Sequence, residues 1–583
     1  MVKTTEVSYM PGNFVRNDEL DMRWIVVFVM LVSVNVRAQN EVELIRRIMG
    51  IQSVEEADAD QVEVLMDILR HPLELNFDGK AKLESSGLFT PFQLASLEDY
   101  VTRHGSIMSL TELSSVDGFS WSFVRDLAPF ISLEHVRGSK QGIDCEVSGR
   151  TSFKKTEGSA ERYNHGLRAR MSVNGSWGFS IACSKGYDDR RWLPSAYSGN
   201  FVWNHRYGMV VVGDFNARYG QGLCMWNTVS FSYLSSPSTF MRRASGLTPS
   251  YSYTGTYALS GMAADFRFGK WKLSCILAAP DIKSPEPGEL QPAVSIIRHF
   301  DVGHVGFNHM TAFTDISDKD FRIPLMRSSA DASLCLRGVN VFGEAMFDWV
   351  SGTLSCLTGA EASIGESLSM AALVRCLPSS DEHGAASSAE VTWKSHDILF
   401  AADVLYHPSG KSLESGRALQ AKFQAKWKWA ICDYLSSEVR LSERLRSWGS
   451  RSRTDARIDI VLNHDMWKST ARFDVLKCVG LGLLGYIEAA YIYSSGFKVY
   501  LRQGIFRIDN WDDRIYVYER DAPSSFNVPA FSGRGIWTSS YLSWRFAEWG
   551  SLYLRASYTA YPMMKEKKKP GSAELKFQFA LHF

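Results

Sequence analysis

Six residues match a motif that binds dinucleotides, and this match is the first candidate for chemistry. Gly480-Leu-Gly482-Leu-Leu-Gly485 has the G-x-G-x-x-G spacing that lets a glycine backbone approach a pyrophosphate. That motif works only where a strand turns into a helix within a βαβ unit. The residues that follow, Tyr486 to Tyr493, have the composition of another strand. We therefore predict no cofactor site here.

Other patterns that carry chemistry are weak. The sequence contains no G-x-S-x-G nucleophile elbow, no H-E-x-x-H zinc motif and no P-loop. Glu344, Asp348 and Asp459 alternate with apolar residues in strand-like stretches, where they could act as acids or bases. Ion-paired or solvated carboxylates are the more common outcome at such positions. We predict no catalytic residue, no metal ligand and no bound cofactor.

The segment GDFNARYGQG supplies the strongest candidates for polar residues with a role inside a barrel. Asp214, Arg218 and Gln221 are predicted to face the lumen. The alternative is structural, because the three glycines of this segment could simply relieve crowding at a bend.

Nine cysteines are scattered singly along the chain. None belongs to a C-x-x-C pair or to a Cys/His cluster, so neither a zinc site nor a redox pair is indicated. We interpret each of them as a small apolar residue within a strand. They lie at positions 145, 183, 224, 275, 335, 356, 376, 432 and 478.

The elements that would position such residues are strands from about residue 140 onward. Within VNVFGEAMFDW, Val339, Val341 and Phe347 share one face, opposite Asn340 and Glu344. RTDARIDIVLNH and SLYLRASYTAY repeat this alternation. Successive segments of ~10 residues with this pattern, separated by turns, are typical of a transmembrane β-barrel.

The connections between these segments give an independent indication. Short and long connections alternate, as the periplasmic turns and outer loops of outer-membrane barrels do. Counting strands in this way gives 24, with 20 to 26 acceptable because connections near 350–352 and 479–480 break the rule. The alternative is a large exported β-sandwich or propeller, but the sequence lacks the repeat of about 40–50 residues that propeller blades require.

The C-terminal residues LKFQFALHF support the barrel. Leu575, Phe577 and Phe579 share one face of a strand, while Lys576 and Gln578 lie on the other. A terminus normally frays into water, so an apolar face kept to the last residue needs an apolar partner. In a barrel the last strand lies in lipid and closes the sheet against the first strand.

Residues 1–38 are predicted to be a secretion signal. The uncharged run 24–36 follows Arg23 and is too short for a bilayer, which takes about 20 residues. It fits the apolar region of a signal peptide that is cleaved after Ala38. The long preceding segment suggests that translation begins at Met22. The alternative is an N-terminal buried helix.

Residues 39–135 change to a helical period. Apolar residues recur at helical spacing, for example Val42 and Ile45, and Ser109-Leu-Thr-Glu112 has the sequence of a capping box. We predict a small all-α domain here, which we call the helical module. The fold class is therefore α+β and mainly β, with a barrel over residues 140–583.

The helical module resembles a known repeat. LELNFDGKAKLESSGLFTPFQLASLEDYVTRHGSIMSLTELSSVDGFSWSFVRDLAPFI, residues 73–131, resembles the tandem helix-hairpin-helix repeats of the competence protein ComEA. Together with VVVGDFNARYGQGLCMW and RRASGLTPSYSYTGTYALSGMAADF, at 210–226 and 242–266, the chain is similar to helix-hairpin-helix outer-membrane proteins of Bacteroidota. The resemblance implies an outer-membrane barrel with a periplasmic helical domain, and implies layout more than activity.

Repeats of this kind often bind DNA through a Gly-hydrophobic-Gly hairpin that presents N–H groups to a phosphate. Here Phe89 and Ser120 replace the second glycine of the two hairpins. Residues 41–135 carry 17 acidic and 7 basic side chains, a net charge of −10, which is the wrong sign for nucleic acid. Nucleic acid is therefore disfavoured. The candidate hairpin contacts are Gly87, Leu88, Phe89, Gly118, Phe119 and Ser120.

Three functions remain open from the sequence. The first is a non-enzymatic transport or envelope-assembly component of the outer membrane, in which the helical module docks a periplasmic or membrane protein or supports a barrel plug. The second is a competence-like DNA-uptake channel, and the third is an outer-membrane hydrolase. A barrel of about 24 strands encloses a lumen too wide for its own side chains to fill, so it is plugged or it is a conduit.

Overall fold

The computed structural model describes most residues from 41 onward, and the predicted secretion signal lies outside the described residues. The described ranges are 41–49, 59–70, 72–134, 142–187, 194–227, 233–253, 258–279, 289–300, 302–314, 322–336, 338–365, 367–408, 418–448, 452–494, 496–523, 525, 527–563 and 569–583.

Short helices occupy the described residues between 41 and 134, together with a two-stranded parallel ribbon. None of the described helices combines the length and apolar character needed to cross a membrane. The helices are α1 (Glu41–Met49), α2 (Ala59–Arg70), α3 (Lys80–Ser85), α4 (Pro91–His104), α5 (Leu110–Leu113) and α6 (Trp121–Leu127), and the ribbon strands are β1 (Leu73–Glu74) and β2 (Ile131–Ser132).

Capping groups fix where these helices begin. Thr90 and Gln93 form a complete capping box at α4, with hydrogen bonds of 3.1 and 2.9 Å. The predicted box at α5 is only half formed. Ser109 Oγ accepts from Glu112 N at 3.1 Å, but the Glu112 carboxylate accepts from Met108 N at 2.8 Å. Local hydrogen bonds therefore hold helices that are too short to be stable alone.

Most of the described residues from 143 onward lie in strands, and the bounds of these strands are as follows. They are β3 (Ile143–Thr156), β4 (Arg162–Val173), β5 (Trp177–Gly186), β6 (Ala196–His205), β7 (Gly208–Arg218), β8 (Gly246–Pro249), β9 (Leu259–Phe268), β10 (Trp271–Ala278), β11 (Gln291–Phe300), β12 (Gly303–Thr314), β13 (Arg322–Leu336), β14 (Val339–Asp348), β15 (Thr353–Ile364), β16 (Leu368–Leu377), β17 (Glu382–Trp393), β18 (His396–His407), β19 (Ala418–Cys432), β20 (Leu435–Arg446), β21 (Arg453–His464), β22 (Trp467–Lys477), β23 (Leu481–Ser494), β24 (Phe497–Ile508), β25 (Ile515–Tyr516), β26 (Ala530–Phe531), β27 (Gly533–Ala547), β28 (Gly550–Ala560) and β29 (Ser572–His582).

These strands form one closed antiparallel barrel. Apart from the short β8 and the separate β25–β26 ribbon, the described strands from β3 to β29 are 24 barrel strands, which confirms the strand number predicted from the connections. The last strand closes the sheet on the first, with His582 opposite Glu146. Phe583 and Cys145 exchange both backbone hydrogen bonds, at 2.8 and 3.1 Å. The terminal residue is therefore held in the sheet.

The two ends of the barrel differ. One end, the short-turn end, carries tight connections such as Gly269–Lys270 between β9 and β10. The other, the long-loop end, carries the longer ones, such as residues 509–532 between β24 and β27. Residues 349–352 and 478–480 are short connections at the long-loop end, as anticipated. In outer-membrane barrels the short turns face the periplasm.

The inner and outer faces have opposite chemistry. On β14, Val341 points outward and is exposed, whereas Asn340, Glu344 and Asp348 point inward and are buried. The C-terminal strand follows the same rule, with Phe577 exposed and Gln578 buried. This arrangement reverses that of a soluble protein, so the outer face is suited to lipid.

Exposed aromatic side chains concentrate at the short-turn end. Trp177 and Trp203 stack there with ring centroids 5.5 Å apart. Aromatic belts of this kind mark membrane–water interfaces. Other exposed members at this end are Tyr207, Phe268, Trp271, Phe300, Trp393, Trp427, Tyr434, Trp467, Trp544 and Trp549.

The structure bears on two further sequence interpretations, and it corrects the second. The Gly480–Gly485 motif runs from a connection directly into β23 rather than into a helix, in line with our rejection of it. The interpretation of every cysteine as a strand residue is wrong for Cys224 and Cys478. Cys478 lies in the connection after β22, and Cys224 is buried inside the lumen, where its Sγ lies 3.7 Å from Arg327 O.

Candidate functional site

The polar inner wall of the barrel is buried, which shows that the lumen is filled. Asn308 and Ser355 are inward-facing and wholly inaccessible. Asn308 Nδ2 donates to Asp331 Oδ1 at 2.9 Å along the wall. Strand side chains alone cannot cover the wall of a barrel of this size. The covering comes from the helical module and two loops.

The helical module lies inside the lumen, because it contacts inward-facing side chains on widely separated strands. Asp67 of α2 lies 3.8 Å from Arg170 on β4. Arg125 of α6 pairs with Asp397 on β18 at 3.1 Å and lies 3.7 Å from Glu390 on β17. Arg170 and Asp397 lie near short turns. The module therefore fills the short-turn end.

The most deeply buried tie between module and wall is a charge cluster around Glu84 of α3. Lys272 and Arg267 lie directly opposite each other on β10 and β9, where two like charges would repel. Glu84 accepts hydrogen bonds from both, at 2.6 Å from Lys272 Nζ. Asp265 lies 3.0 Å from Lys272 and accepts from the Tyr219 hydroxyl at 2.9 Å. The module thus supplies the carboxylate that neutralises the wall.

The charge state of Glu84 follows from this geometry. Burial alone would raise the pKa of its carboxyl group, but the Lys272 and Arg267 cations lower that pKa to about 2. Glu84 is therefore ionised throughout the physiological range. The side chain of Lys272 is only 3% exposed, so removing Glu84 would leave buried positive charge.

The first inner loop, residues 219–227 and 233–253, covers the middle of the lumen. Glu344 on the wall accepts backbone N–H groups from Gln221, Leu223 and Cys224, at 2.8, 3.0 and 3.3 Å. Further along, Arg243 donates to Ile48 O of the helical module at 2.6 Å. The loop therefore connects wall and module.

The second inner loop, residues 509–523, 525 and 527–532, covers another sector of the wall. Glu519 accepts from Arg555 at 2.7 Å, and Arg520 donates to Glu488 at 2.9 Å. Asp513 accepts backbone N–H groups from the whole β22–β23 connection, at 2.8 to 2.9 Å. This loop is held by a network of charge-assisted hydrogen bonds.

The predicted lumen residues are structural in their contacts. Asp214 accepts from Gly199 N at 2.9 Å and from the Ser260 hydroxyl. Gln221 accepts from Arg242 N at 3.0 Å, and Arg218 is buried where β7 pairs with β8. All three help to shape the bend at which the first inner loop enters the lumen.

The hairpin residues are turned into the protein. Leu88, Phe89 and Phe119 are 0–2% exposed and belong to one apolar core of the helical module. Gly87 and Gly118 have φ of +69° and +87°, a conformation that glycine adopts readily. Ser120 caps α6 by accepting from the backbone at 3.3 Å. A Cβ on Gly87 would lie 3.7 Å from Ser245 Cβ of the first inner loop, so this hairpin faces the barrel interior.

The candidate acid–base carboxylates are already engaged. Glu344 binds three backbone N–H groups, as described above. Asp348 accepts from Arg327 and from two backbone N–H groups, each at 3.1 Å. Asp459 accepts from Arg457 and Arg472 at 2.7 and 2.6 Å. Across the described ranges, no group of three or more Cys, His, Asp or Glu side chains is arranged to hold a metal ion.

Sequence reasoning missed Glu84 and Lys272. The available signal was Lys272 itself, a cation at an inward position of an otherwise apolar and small-residue strand. An inward lysine requires either water or a carboxylate, and the acidic helical module is the obvious source of such a carboxylate. Which of the acidic residues of the module pairs with Lys272 depends on tertiary contacts.

Comparisons with known proteins extend this description only slightly. No protein-family model matches the chain, and no curated protein matches it. Similar solved structures include the siderophore receptors PirA of Pseudomonas aeruginosa and Acinetobacter baumannii, with 7% and 6% identity and TM-scores of 0.40 and 0.42, each alignment covering 77% of this chain and 81% of the other. The outer membrane protein OpdK of Pseudomonas aeruginosa gives 7% identity, a TM-score of 0.27, and coverage of 76% and 99%. At these scores the similarity assigns neither activity nor ligand.

Proposed function

We propose that the chain is an outer-membrane β-barrel that works as a closed conduit, in which the helical module is the plug at the periplasmic end. The observation that carries this proposal is the Glu84 cluster, a buried ion-pair interface between module and wall. A buried, charged interface strongly disfavours the loss of either partner, yet its groups can be hydrated when the two surfaces separate. Such an interface suits a plug that is displaced during transport.

An outer-membrane location is supported by features of the barrel itself. Its outer face exposes apolar side chains, and aromatic residues ring the short-turn end. Alternating short and long connections fit a chain whose two ends both lie in the periplasm. Lipid is therefore the first partner that we propose.

Displacement of the plug requires a force from the periplasm, so we propose a protein partner on that side. Among its described residues, the helical module exposes two large apolar side chains, Phe77 at 56% and Met108 at 80%. They flank the Asn76–Ile107 connection, in which the Asn76 side chain bonds the Ile107 backbone in both directions at 2.9 Å. A rigid base under two exposed apolar residues suits a docking point.

The geometry weighs against the two alternatives. In the hairpins, the N–H groups of Gly87 and Phe119 donate to Glu84 O and Val116 O, and the Leu88 N–H donates to a serine hydroxyl, so phosphate would have to displace internal bonds. A hydrolase needs a free acid–base pair, and the three candidate carboxylates are held by N–H groups or guanidinium groups. A non-enzymatic transport role fits these contacts best.

Single-channel recording in planar lipid bilayers tests the proposal. Wild-type protein should conduct rarely, whereas Glu84→Lys should raise the open probability because a third cation joins Lys272 and Arg267. The matched control is Glu98→Lys, which makes the same charge change at an exposed pair with Lys80. Unaltered conductance in Glu84→Lys, or an equal increase in the control, would contradict the plug proposal.

A further inference from the structure

Five cations face the lumen near its long-loop end, and we name them the outer cation cluster. Lys422 lies directly opposite Arg444, and Arg444 directly opposite Arg453, on three adjacent strands. Like charges in such cross-strand positions destabilise a sheet. Arg446 and Arg514 lie close enough to act on Arg444 electrostatically. The cluster comprises Lys422, Arg444, Arg446, Arg453 and Arg514.

The cluster faces the lumen rather than lipid. Gln424 shares the inward face of β19 with Lys422 and donates to Leu234 O of the first inner loop at 3.2 Å. Arg453 donates to Arg514 O of the second inner loop at 3.4 Å. The cluster therefore lies between the two inner loops, open towards the long-loop end through the exposed Arg446.

The described residues supply no carboxylate ion pair to any member of the cluster. Arg446 Nε donates to the Gln420 amide at 2.9 Å, and Arg514 donates to the Tyr516 hydroxyl at 2.8 Å. Arg444 Nε is buried and has no hydrogen-bond partner within the described residues. Positive charge is thus gathered here without the anions that usually accompany it.

Asp403 is the carboxylate nearest to Lys422 in the sheet register, since the two residues lie directly opposite each other. Its carboxylate is already taken by Arg375, at 2.6 Å. It therefore does not balance the charge of the cluster.

Arginines deeper in β20, β21 and the neighbouring β22 show the contrast. Arg440 pairs with Asp455 at 3.3 Å, and Arg457 and Arg472 share Asp459. On β20 and β21, the paired guanidinium groups thus lie towards the short-turn end and those of the cluster lie towards the long-loop end. These deeper arginines have acidic partners, whereas the cluster has none among the described residues, so its charge would be balanced by an external anion.

We propose that the outer cation cluster binds a small, multiply charged oxyanion of the phosphate or carboxylate type that enters from the long-loop end. This deepens, and rests on, the proposed transport function, for which it names the class of substrate. Guanidinium forks match the oxygens of phosphate and carboxylate groups in bidentate geometry. The bound anion removes the repulsion within the row of cations.

Aromatic rings hold two of the guanidinium groups in place. The Arg446 guanidinium lies 5.5 Å from the ring centroid of Trp448, and that of Arg514 lies 5.0 Å from Trp511. Such contacts orient the planar groups without neutralising them. The site is therefore partly preorganised for an anion.

The test measures binding to full-length protein in phosphatidylcholine nanodiscs by isothermal titration calorimetry. The probes are inorganic tripolyphosphate and citrate, which represent the two oxyanion types. The variant is Arg444→Gln with Arg453→Gln. The matched control, Arg206→Gln with Lys270→Gln, removes the same charge from exposed residues at the short-turn end.

We expect at least one probe to bind wild type and control equally, and the cluster variant about tenfold more weakly or worse, at low salt. Absence of binding to wild type, or equal affinity for all three proteins, would overturn the proposal. Repeating the titration in nanodiscs that contain lipid A separates the sources. Binding by the cluster that requires lipid A would assign it to a lipid headgroup and overturn the free-solute proposal.

Folding of the cluster variant is checked by its thermal unfolding, which we expect at the same or a higher temperature because repulsion is relieved. Should the variant misfold, tripolyphosphate or citrate must still raise the unfolding temperature of wild type, or the proposal fails. These measurements do not depend on opening of the plug. Normal anion binding with unaltered Glu84→Lys conductance would refute only the plug, and the reverse would refute only the anion site.

Discussion

Replacing Glu84 with Gln is the most direct perturbation of the plug interface. The change preserves the size of the side chain and removes one negative charge from between Lys272 and Arg267. A hydrogen bond to one cation can survive through the amide oxygen. The variant loses the negative charge that neutralises the adjacent cations of the buried Lys272 and the partly buried Arg267.

The expected magnitude follows from the burial and from the partner that remains. Breaking a buried ion pair by removing one member costs about 3–5 kcal/mol. Lys272 keeps Asp265 at 3.0 Å, so we expect about 2–3 kcal/mol for displacement of α3 from the wall. That free energy corresponds to a roughly 30- to 150-fold rise in the population of the displaced state.

Hydrogen–deuterium exchange measures this population in the folded barrel. Backbone amides of α3 and α4 should exchange faster in Glu84→Gln by the stated factor, while barrel amides keep their wild-type rates. The control is Glu98→Gln, because its carboxylate is 62% exposed and pairs with Lys80 at the surface. An exposed pair of this kind contributes about 0.2–1 kcal/mol at most.

The result that would refute this reasoning is equal exchange in Glu84→Gln and Glu98→Gln. A second check is Glu84→Gln combined with Lys272→Met. If the cost arises from unpaired buried charge, the double variant should recover part of the stability lost by the single one. A double variant that loses the sum of both effects would show that packing, rather than charge, holds the plug.

Other expected outcomes concern the pH response, a hairpin glycine and the second inner loop. The folded-state pKa of Glu84 is lowered from 4.5 to about 2, so the ionised carboxylate stabilises the plug fully above pH 4.5 and this stabilisation is lost as pH falls towards 2. Hydrogen–deuterium exchange in α3 should therefore rise between pH 4.5 and pH 2 in wild type but not in Glu84→Gln. Gly118→Ala should lower the free energy of unfolding of the helical module by about 1–3 kcal/mol, because φ is +87° and a Cβ would lie 2.9 Å from Phe92. The control Gly79→Ala meets no atom within 4 Å and should cost less, and hydrogen exchange measured at increasing temperature compares the two variants. Asp513→Asn should weaken the backbone N–H bonds of the β22–β23 connection by roughly 2–3 kcal/mol and speed proteolysis of the second inner loop, and unaltered cleavage would contradict this.

Much of the fold could be predicted from local pattern, because every strand of a membrane barrel alternates lipid-facing and lumen-facing residues. Val341 outside and Asn340 inside follow from a period of two and from lipid on one face. The number of barrel strands followed from the alternation of short and long connections. The interpretation of Cys224 failed because the polar and small residues of the first inner loop resemble a strand locally but turn into the lumen.

The candidate site was less accessible to sequence reasoning. Asp214, Arg218 and Gln221 were predicted as lumen residues, but no pattern predicted the contacts among Glu84, Lys272 and Arg267. A charged side chain in a strand reveals that it faces inward. It does not reveal which distant carboxylate meets it, since 188 residues separate Glu84 from Lys272.

The sequence by itself determined the chemistry of each face, the strand number and the closure of the sheet at Phe583, because backbone hydrogen bonding and lipid act residue by residue. Only the tertiary structure decided that the lumen is filled, and by which segments. Filling depends on charges brought together across the barrel, such as Glu84 over Lys272 and Arg267. Local pattern carries no information about pairings that exist only after the sheet has closed around the helices.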